Sequence, residues 1–152
     1  MKLNSEEIEI KHLDKNDIPI AQQLFRVLQQ VFGVEKRVET NESHIIRLLA
    51  NPGFICLAAV YKSEVIGGLT AYELPMYDVD RSEIFIYDIA IKFEFQRMGI
   101  GKKLMAAIKQ YANENGAKQL FVDASEADKH ALDFYRSMNG KQEKVVQFTF
   151  NV

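Results

Sequence analysis

The stretch from Ile89 to Leu104, IAIKFEFQRMGIGKKL, decides how this chain is read. Its start, with Ile89 and Ile91, reads as the end of a strand. A loop follows, and Gly99 and Gly101 open a segment whose apolar residues Leu104, Ile108, Tyr111 and Ala112 recur at helical spacing. The first N–H groups of a helix lack partners and the dipole there is positive, so glycines that permit close approach form a cradle for a diphosphate. Arg97, Lys102 and Lys103 place positive charge around it. A tight turn flanked by solvated lysines would use the same residues. A Walker-type loop would need glycine where Gln96 stands and Ser or Thr where Lys103 stands; a dinucleotide fingerprint would need a small residue at Leu104. Both motifs are excluded.

Upstream of this stretch, Ser82 to Ile91 (SEIFIYDIAI) is the most strand-like segment of the chain. Phe54 to Tyr61 and Val65 to Leu74 read as an antiparallel hairpin turned by Lys62-Ser63-Glu64, and Gly67-Gly68 marks a bulge or a close backbone approach. Further back, Ile8 and Ile10 alternate with Glu9 and Lys11 in a first strand. Asp17 and Pro19 start an amphipathic helix that runs towards Gly33, and Asn41 or Ser43 caps a shorter one that stops at Asn51-Pro52-Gly53. Downstream come a helix closing at Gly116, a short strand from Leu120 to Ala124, a helix from Asp128 to Met138, and an alternating Val146, Phe148 and Phe150 that predict a final strand. The order β-α-α-β-β-β-α-β-α-β predicts an α/β architecture with a mixed sheet and helices on its faces.

Composition sets the limits. The 152 residues are 47% hydrophobic, and no linker-like run divides them, which predicts a single domain over residues 1–152 that buries roughly 70% of its unfolded surface without staples. The lone Cys56 cannot build a disulfide framework, and His12, His44 and His130 lack ligand spacing, so no metal is expected. Met1 to Leu13 has no apolar signal core and the longest apolar run is far short of a membrane helix, so the expected location is cytoplasmic. A net charge of −2 without a Lys/Arg-rich tract argues against nucleic acid or a membrane surface as partner and favours a cationic one.

Gln96, Gly99 and Gly101 form Gln-x-x-Gly-x-Gly five residues after a strand, and this resembles the acetyl-CoA signature of the GNAT N-acetyltransferases. The order of elements along the whole chain is similar to that family's. The resemblance implies a GNAT fold and acetyl-CoA as co-substrate, with main-chain groups of Ile89, Ala90 and Ile91 on its acetyl and pantetheine parts. Gln96, Arg97, Met98, Gly99, Ile100, Gly101 and Lys102 would hold the pyrophosphate. Ala131-Leu132-Asp133-Phe134-Tyr135 resembles the family's Ala-x-x-[Leu/Phe]-Tyr element. Tyr135 is thereby the expected acid for the departing thiolate, a role a phenol can fill. Asp128 stands where many members carry Asn, which leaves a pantetheine contact open. A homodimer is also compatible with the resemblance.

Glu73, Asp78, Asp80, Glu83 and Asp88 crowd into one segment against a single Arg81. Carboxylates can hold ammonium groups and take the proton that an amine must lose to become a nucleophile. Strict alternation sends Glu83 and Asp88 to opposite faces of the sheet, so a shared site requires a bulge between them, which the resemblance implies. Arg81 to Ala90, together with Val145 to Phe150, is similar to the aminoglycoside 3-N-acetyltransferase branch. That implies Glu83 and Asp88 as ligands of a small cationic amine, with Asp88 the candidate base; separately, Tyr72, Met76 and Tyr77 are candidates either to wall the acceptor pocket or simply to pack. A polyamine, another small amine or a protein amine is the alternative acceptor, and a non-catalytic acyl-CoA-binding domain the alternative class.

Overall fold

The computed structural model describes Leu3 to Val152. After a 3-10 turn at Ser5–Glu7, the elements are β1 (Ile8–His12), α1 (Ile18–Val31), α2 (Glu42–Ala50), β2 (Phe54–Tyr61), β3 (Glu64–Pro75), β4 (Ser82–Ile91), α3 (Ile100–Glu114), β5 (Gln119–Val122) and α4 (Lys129–Ser137), with a second 3-10 turn at Phe93–Phe95. They divide into two compact units, one ending at Val122 and the other spanning Asp123–Val152.

The first unit is built on a sheet of order β1-β2-β3-β4-β5. Three pairings are antiparallel and β4–β5 is parallel, giving the mixed sheet with helices that the order of elements predicts. The β2 sequence, FICLAAVY, is apolar throughout because the strand is covered on both faces. On one face Leu24, Val27 and Leu28 of α1 and Ile45 of α2 pack with Phe54, Cys56 and Ala58. Helix α3 packs against the sheet and buries Ile100, Leu104, Met105, Ile108 and Ala112. Burial pushes the Cys56 thiol up to about 12, so it sits in the core as a small apolar group. No helix among the described residues is long and apolar enough to cross a membrane.

Lys62 and Ser63 both have positive φ, 46° and 66°, the backbone of a two-residue hairpin turn matched to strand twist. The register shifts between Ala59 and Val60 and leaves Ile66 as the extra residue of β3. Gly67 and Gly68 then pass where no side chain fits. A Cβ on Gly67 would lie 2.7 Å from the Ala90 carbonyl oxygen, and one on Gly68 2.4 Å from the Leu57 carbonyl oxygen and 2.5 Å from Leu24.

The second unit contains α4, capped by Asp128, whose Oδ1 accepts from the Ala131 N–H at 3.0 Å. Asn would cap equally well. No side chain of this unit is buried. The expected final strand is a correction: residues 141–152 carry no strand, and Val146, Phe148 and Phe150 are exposed. Alternation makes a segment fit to be a strand, but only a neighbour that takes its N–H and C=O groups makes it one.

The crowding at Gly68 yields a stability prediction. Its nearest neighbour is backbone and cannot rotate away, so Gly68→Ala should cost about 1–3 kcal/mol, read as a lowered midpoint in denaturant titration with an unchanged slope.

Candidate active site

Strand β4 has two neighbours and treats them differently. Along β3 it pairs from Ser82 to Ile91, but the ladder shifts: Thr70 faces Asp88 and Ala71 faces Ile86, so Tyr87 is an extra residue. This is the bulge required for a shared carboxylate face. It reverses the parity, so that Glu83, opposite Leu74, and Asp88, opposite Thr70, fall on the same face as Tyr72 and Phe85. Along β5 the parallel ladder stops at Ile86–Val122. From Tyr87 to Ile91, β4 therefore has no strand beside it on its β5 side among the described residues. Main-chain groups of Ile89, Ala90 and Ile91 lie on that open stretch, as an extended amide-bearing ligand would require.

On the α1–α2 face, a cavity of about 380 Å³ is lined by Phe25, Leu28, His44, Leu48, Phe54, Thr70, Tyr72, Tyr87 and Asp88, among others. Asp88 is the carboxylate in that lining, and burial raises its pKa above the ordinary aspartate value. Burial, then the nearby Tyr87 and Asp88, likewise push the Tyr72 phenol up. Tyr72 and Tyr87 meet edge to face at 5.7 Å, within a row of rings that crosses the sheet: Phe54–Tyr72 at 5.4 Å, Tyr87–Phe85 at 5.9 Å and Phe85–Phe121 at 5.0 Å.

Glu83 shares the face but not the cavity. It lies roughly 15 Å along the strand from Asp88 at ordinary strand rise, and its Oε1 accepts from Gln119 Nε2 at 2.7 Å. Of the remaining acidic cluster, Glu73 accepts from the Tyr111 hydroxyl of α3 at 3.5 Å, and Asp78 and Asp80 are exposed in the loop before β4. Among the proposed wall residues, Tyr72 lines the cavity, whereas Met76 and Tyr77 do not and Tyr77 is fully exposed. Sequence reading did not find the α1 and α2 walls, Thr70 or Tyr87. Parity with Tyr72 would have given Thr70, but Tyr87 becomes visible only once the bulge is known.

Past β4, Gln96 Nε2 donates to the Ile91 carbonyl at 3.0 Å and folds the loop back on the strand end. Arg97 and Gly99 both have left-handed φ, 64° and 82°, and Gly99 is the residue before α3. The N–H groups of the first turn, Ile100, Gly101 and Lys102, are those a helix leaves unpaired, so backbone and dipole suit an anionic group. Lys102 is exposed, but Lys103 donates to the Ser5 carbonyl and is committed to the fold. In the second unit, Tyr135 is half-buried on α4, its ring 5.2 Å from that of Phe134, and its carbonyl accepts the N–H groups of Met138 and Gly140.

A mixed sheet whose fourth strand departs from the fifth beside a glycine-led helix defines an acyltransferase architecture. The model of the Acetyltransferase (GNAT) family matches residues 21–140, and the chain belongs to that family. It is an acetyltransferase whose acetyl donor is acetyl-CoA. Among solved structures, it is similar to an aminoglycoside acetyltransferase from an uncultured soil metagenomic sample, solved with trehalose (36% identity, TM-score 0.94, 97% of this chain and 98% of that chain) and with sisomicin (35% identity, TM-score 0.94, 97% of each chain). A second soil metagenomic aminoglycoside acetyltransferase is 32% identical with a TM-score of 0.88, over 95% of this chain and 98% of that one. AAC(6')-Iy with a bisubstrate analogue shares the fold at 15% identity, with a TM-score of 0.78 over 95% of this chain and 99% of that one.

The partly buried carboxyl of Asp88 gives a prediction with a definite sign. A folded-state pKa raised by burial means that the charged form opposes folding, so the group weakens stability as pH rises through that value. Asp88→Asn should leave the melting temperature at neutral pH equal to or above the parent's, and the difference should shrink on acidification, as measured by calorimetry across pH.

Proposed function

We propose that this chain acetylates an aminoglycoside at its 3-N position, as one cytoplasmic acetyltransferase domain spanning residues 1–152. The observation that carries the reading is the bulge at Tyr87, which delivers Asp88 into a cavity walled by aromatic rings. An ammonium group suits that lining, since a carboxylate and aromatic rings both attract a cation. The saccharide complexes of the 36% and 35% identical soil enzyme support a sugar acceptor. The family match, running from residue 21 to 140 across both compact units, supports a single domain. The 3-N position rests on the likeness of Arg81–Ala90 and Val145–Phe150 to that branch.

In this reading Asp88 takes a proton from the bound ammonium, directly or through a water, because only the neutral amine attacks a thioester. Its raised pKa brings it closer to neutrality and makes it a better proton acceptor than a solvated aspartate. Glu83 holds a second ammonium further along the strand. Main-chain N–H groups near Ile89 face the carbonyl oxygen and stabilise its developing negative charge. The first turn of α3, with Gln96, Arg97, Met98, Gly99, Ile100, Gly101 and Lys102, binds the pyrophosphate. Tyr135 gives its proton to the departing thiolate.

The deciding experiment is thiol release from acetyl-CoA over a panel of aminoglycosides and polyamines, with the product's acetyl position assigned by NMR. Turnover with aminoglycosides and acetylation at the 3-amine is expected. Reaction with polyamines or peptides alone would refute the acceptor, acetylation at another amine would refute the position, and no turnover with any amine would leave an acyl-CoA-binding domain. Asp88→Asn should lower kcat by about 10²–10⁴-fold and remove the acidic limb of the pH profile. Tyr135→Phe should lose turnover while keeping its affinity for CoA, measured by calorimetry.

A further inference from the structure

Between α1 and α2 the chain runs from Phe32 to Asn41 without a helix or strand, yet Thr40, within this connection, lines the same cavity as Asp88. A cavity wall that has no regular structure must be held in place by other means. Burial contributes little, since residues 34–39 are exposed and Val38 is 70% exposed.

Two side chains of α1 supply the hold. Gln29 grips Val38 on both of its main-chain groups: Oε1 accepts from the Val38 N–H at 3.1 Å, and Nε2 donates to the Val38 carbonyl at 3.0 Å. A side-chain amide carries a donor and an acceptor on one plane and can do this, whereas a carboxylate offers acceptors alone and an ammonium donors alone. Three residues earlier on the helix, Arg26 meets Glu39 in a two-pronged ion pair, with Nε donating to Oε2 at 3.0 Å and Nη2 to Oε1. Among the described residues, these are the hydrogen bonds and ion pairs that tie residues 35–40 to the rest of the chain. They fall on Val38 and Glu39, and the next residue is Thr40.

We infer that Gln29 and Arg26 are positioning residues for the acceptor: by clasping Val38 and Glu39 they hold Thr40 in the cavity wall and so set the affinity for the amine. The inference rests on the reading that this cavity takes the amine. Each bond is individually modest, and an exposed ion pair more so, so losing one lets the wall leave its place in a fraction of the molecules. The apparent affinity for a ligand falls with the fraction of molecules whose site is assembled. A bound amine draws the wall back, so kcat and the affinity for acetyl-CoA hold. Gln29 itself lines the cavity, so the decisive test falls on Arg26 and Glu39, which do not.

Two measurements on the full chain test it. Exchange of the Val38 amide, followed by NMR with no substrate present, should be slow in the parent and about tenfold faster in Gln29→Ala. In thiol-release assays, Arg26→Glu and Glu39→Arg should each raise the KM for the amine about threefold to fivefold, with kcat and the KM for acetyl-CoA unchanged. The doubly substituted chain, in which the pair is reversed, should return that KM to the parent's. Both side chains are more than half exposed, at 56% and 57%, so all three variants should keep the parent's far-UV spectrum. An unprotected Val38 amide in the parent, single variants whose amine KM does not move, effects that fall on kcat or acetyl-CoA instead, or a reversed pair that fails to restore the KM would each overturn the inference. The acceptor reading fails separately: a parent that acetylates polyamines but no aminoglycoside refutes it, and the variants are then compared on the polyamine. A parent inert to every amine overturns both.

Discussion

One inserted residue sets the geometry on which the rest depends. A strand has period two, so the extra Tyr87 in β4 turns every later side chain to the opposite face. Bulges increase local twist, and the β4–β5 ladder ends beside this one, at Ile86–Val122. Two features therefore coincide at a single irregularity. It moves Asp88 from the face it would otherwise share with Ile86 into an aromatic cavity, and it sits where the main chain towards Ile91 ceases to have a strand on its β5 side among the described residues. In the proposed reading, the acceptor side and the donor side of the acetyl transfer thus trace to the same point in the backbone.

The cavity needs a second constraint. Its outer wall is Phe25 and Leu28 of α1 and Leu48 of α2, and α1 can lie this low on the sheet only because Gly68 presents no side chain beneath Leu24. Gly67 does the same for Ile91 on the next strand. Glycine in a strand interior weakens the strand, so two in succession carry a cost in stability that close packing offsets. The approach of α1, the helix that carries the cavity's Phe25 and Leu28, depends on Gly68, whose absent side chain leaves the space Leu24 fills.

Much of this was legible in the sequence. Periodicity located β1 to β4 and α1, α3 and α4 to within a residue or two, because each has a strongly one-sided or fully apolar pattern. The glycine-opened helix and the need for a bulge between Glu83 and Asp88 could also be stated beforehand, the first from helix-end chemistry and the second from parity. Of the walls, Tyr72 was legible but those from α1 and α2 were not. Phe25, His44 and Leu48 lie forty or more residues before Asp88, and nothing local to any of them says that they meet. The C-terminal segment failed for a different reason: Val146, Phe148 and Phe150 describe what the segment can do, while strand formation depends on a partner that no local pattern specifies.

Charge clustering proved a coarser guide than geometry. Of Glu73, Asp78, Asp80, Glu83 and Asp88, only Asp88 lines the cavity. Glu73 is bonded to Tyr111 and Glu83 to Gln119, while Asp78 and Asp80 lie in an exposed loop. On the basic side, Lys103 is held by the Ser5 carbonyl while Lys102 remains exposed. Exposed charges act through solvent over a Debye length of about 8 Å at physiological ionic strength, which attracts a cation without choosing among cations. Discrimination belongs to the group whose charged form burial disfavours. A positive charge beside Asp88 would offset that burial, so in the proposed reading the cavity favours an ammonium at that one position, and the surrounding acidic segment serves to bring it near.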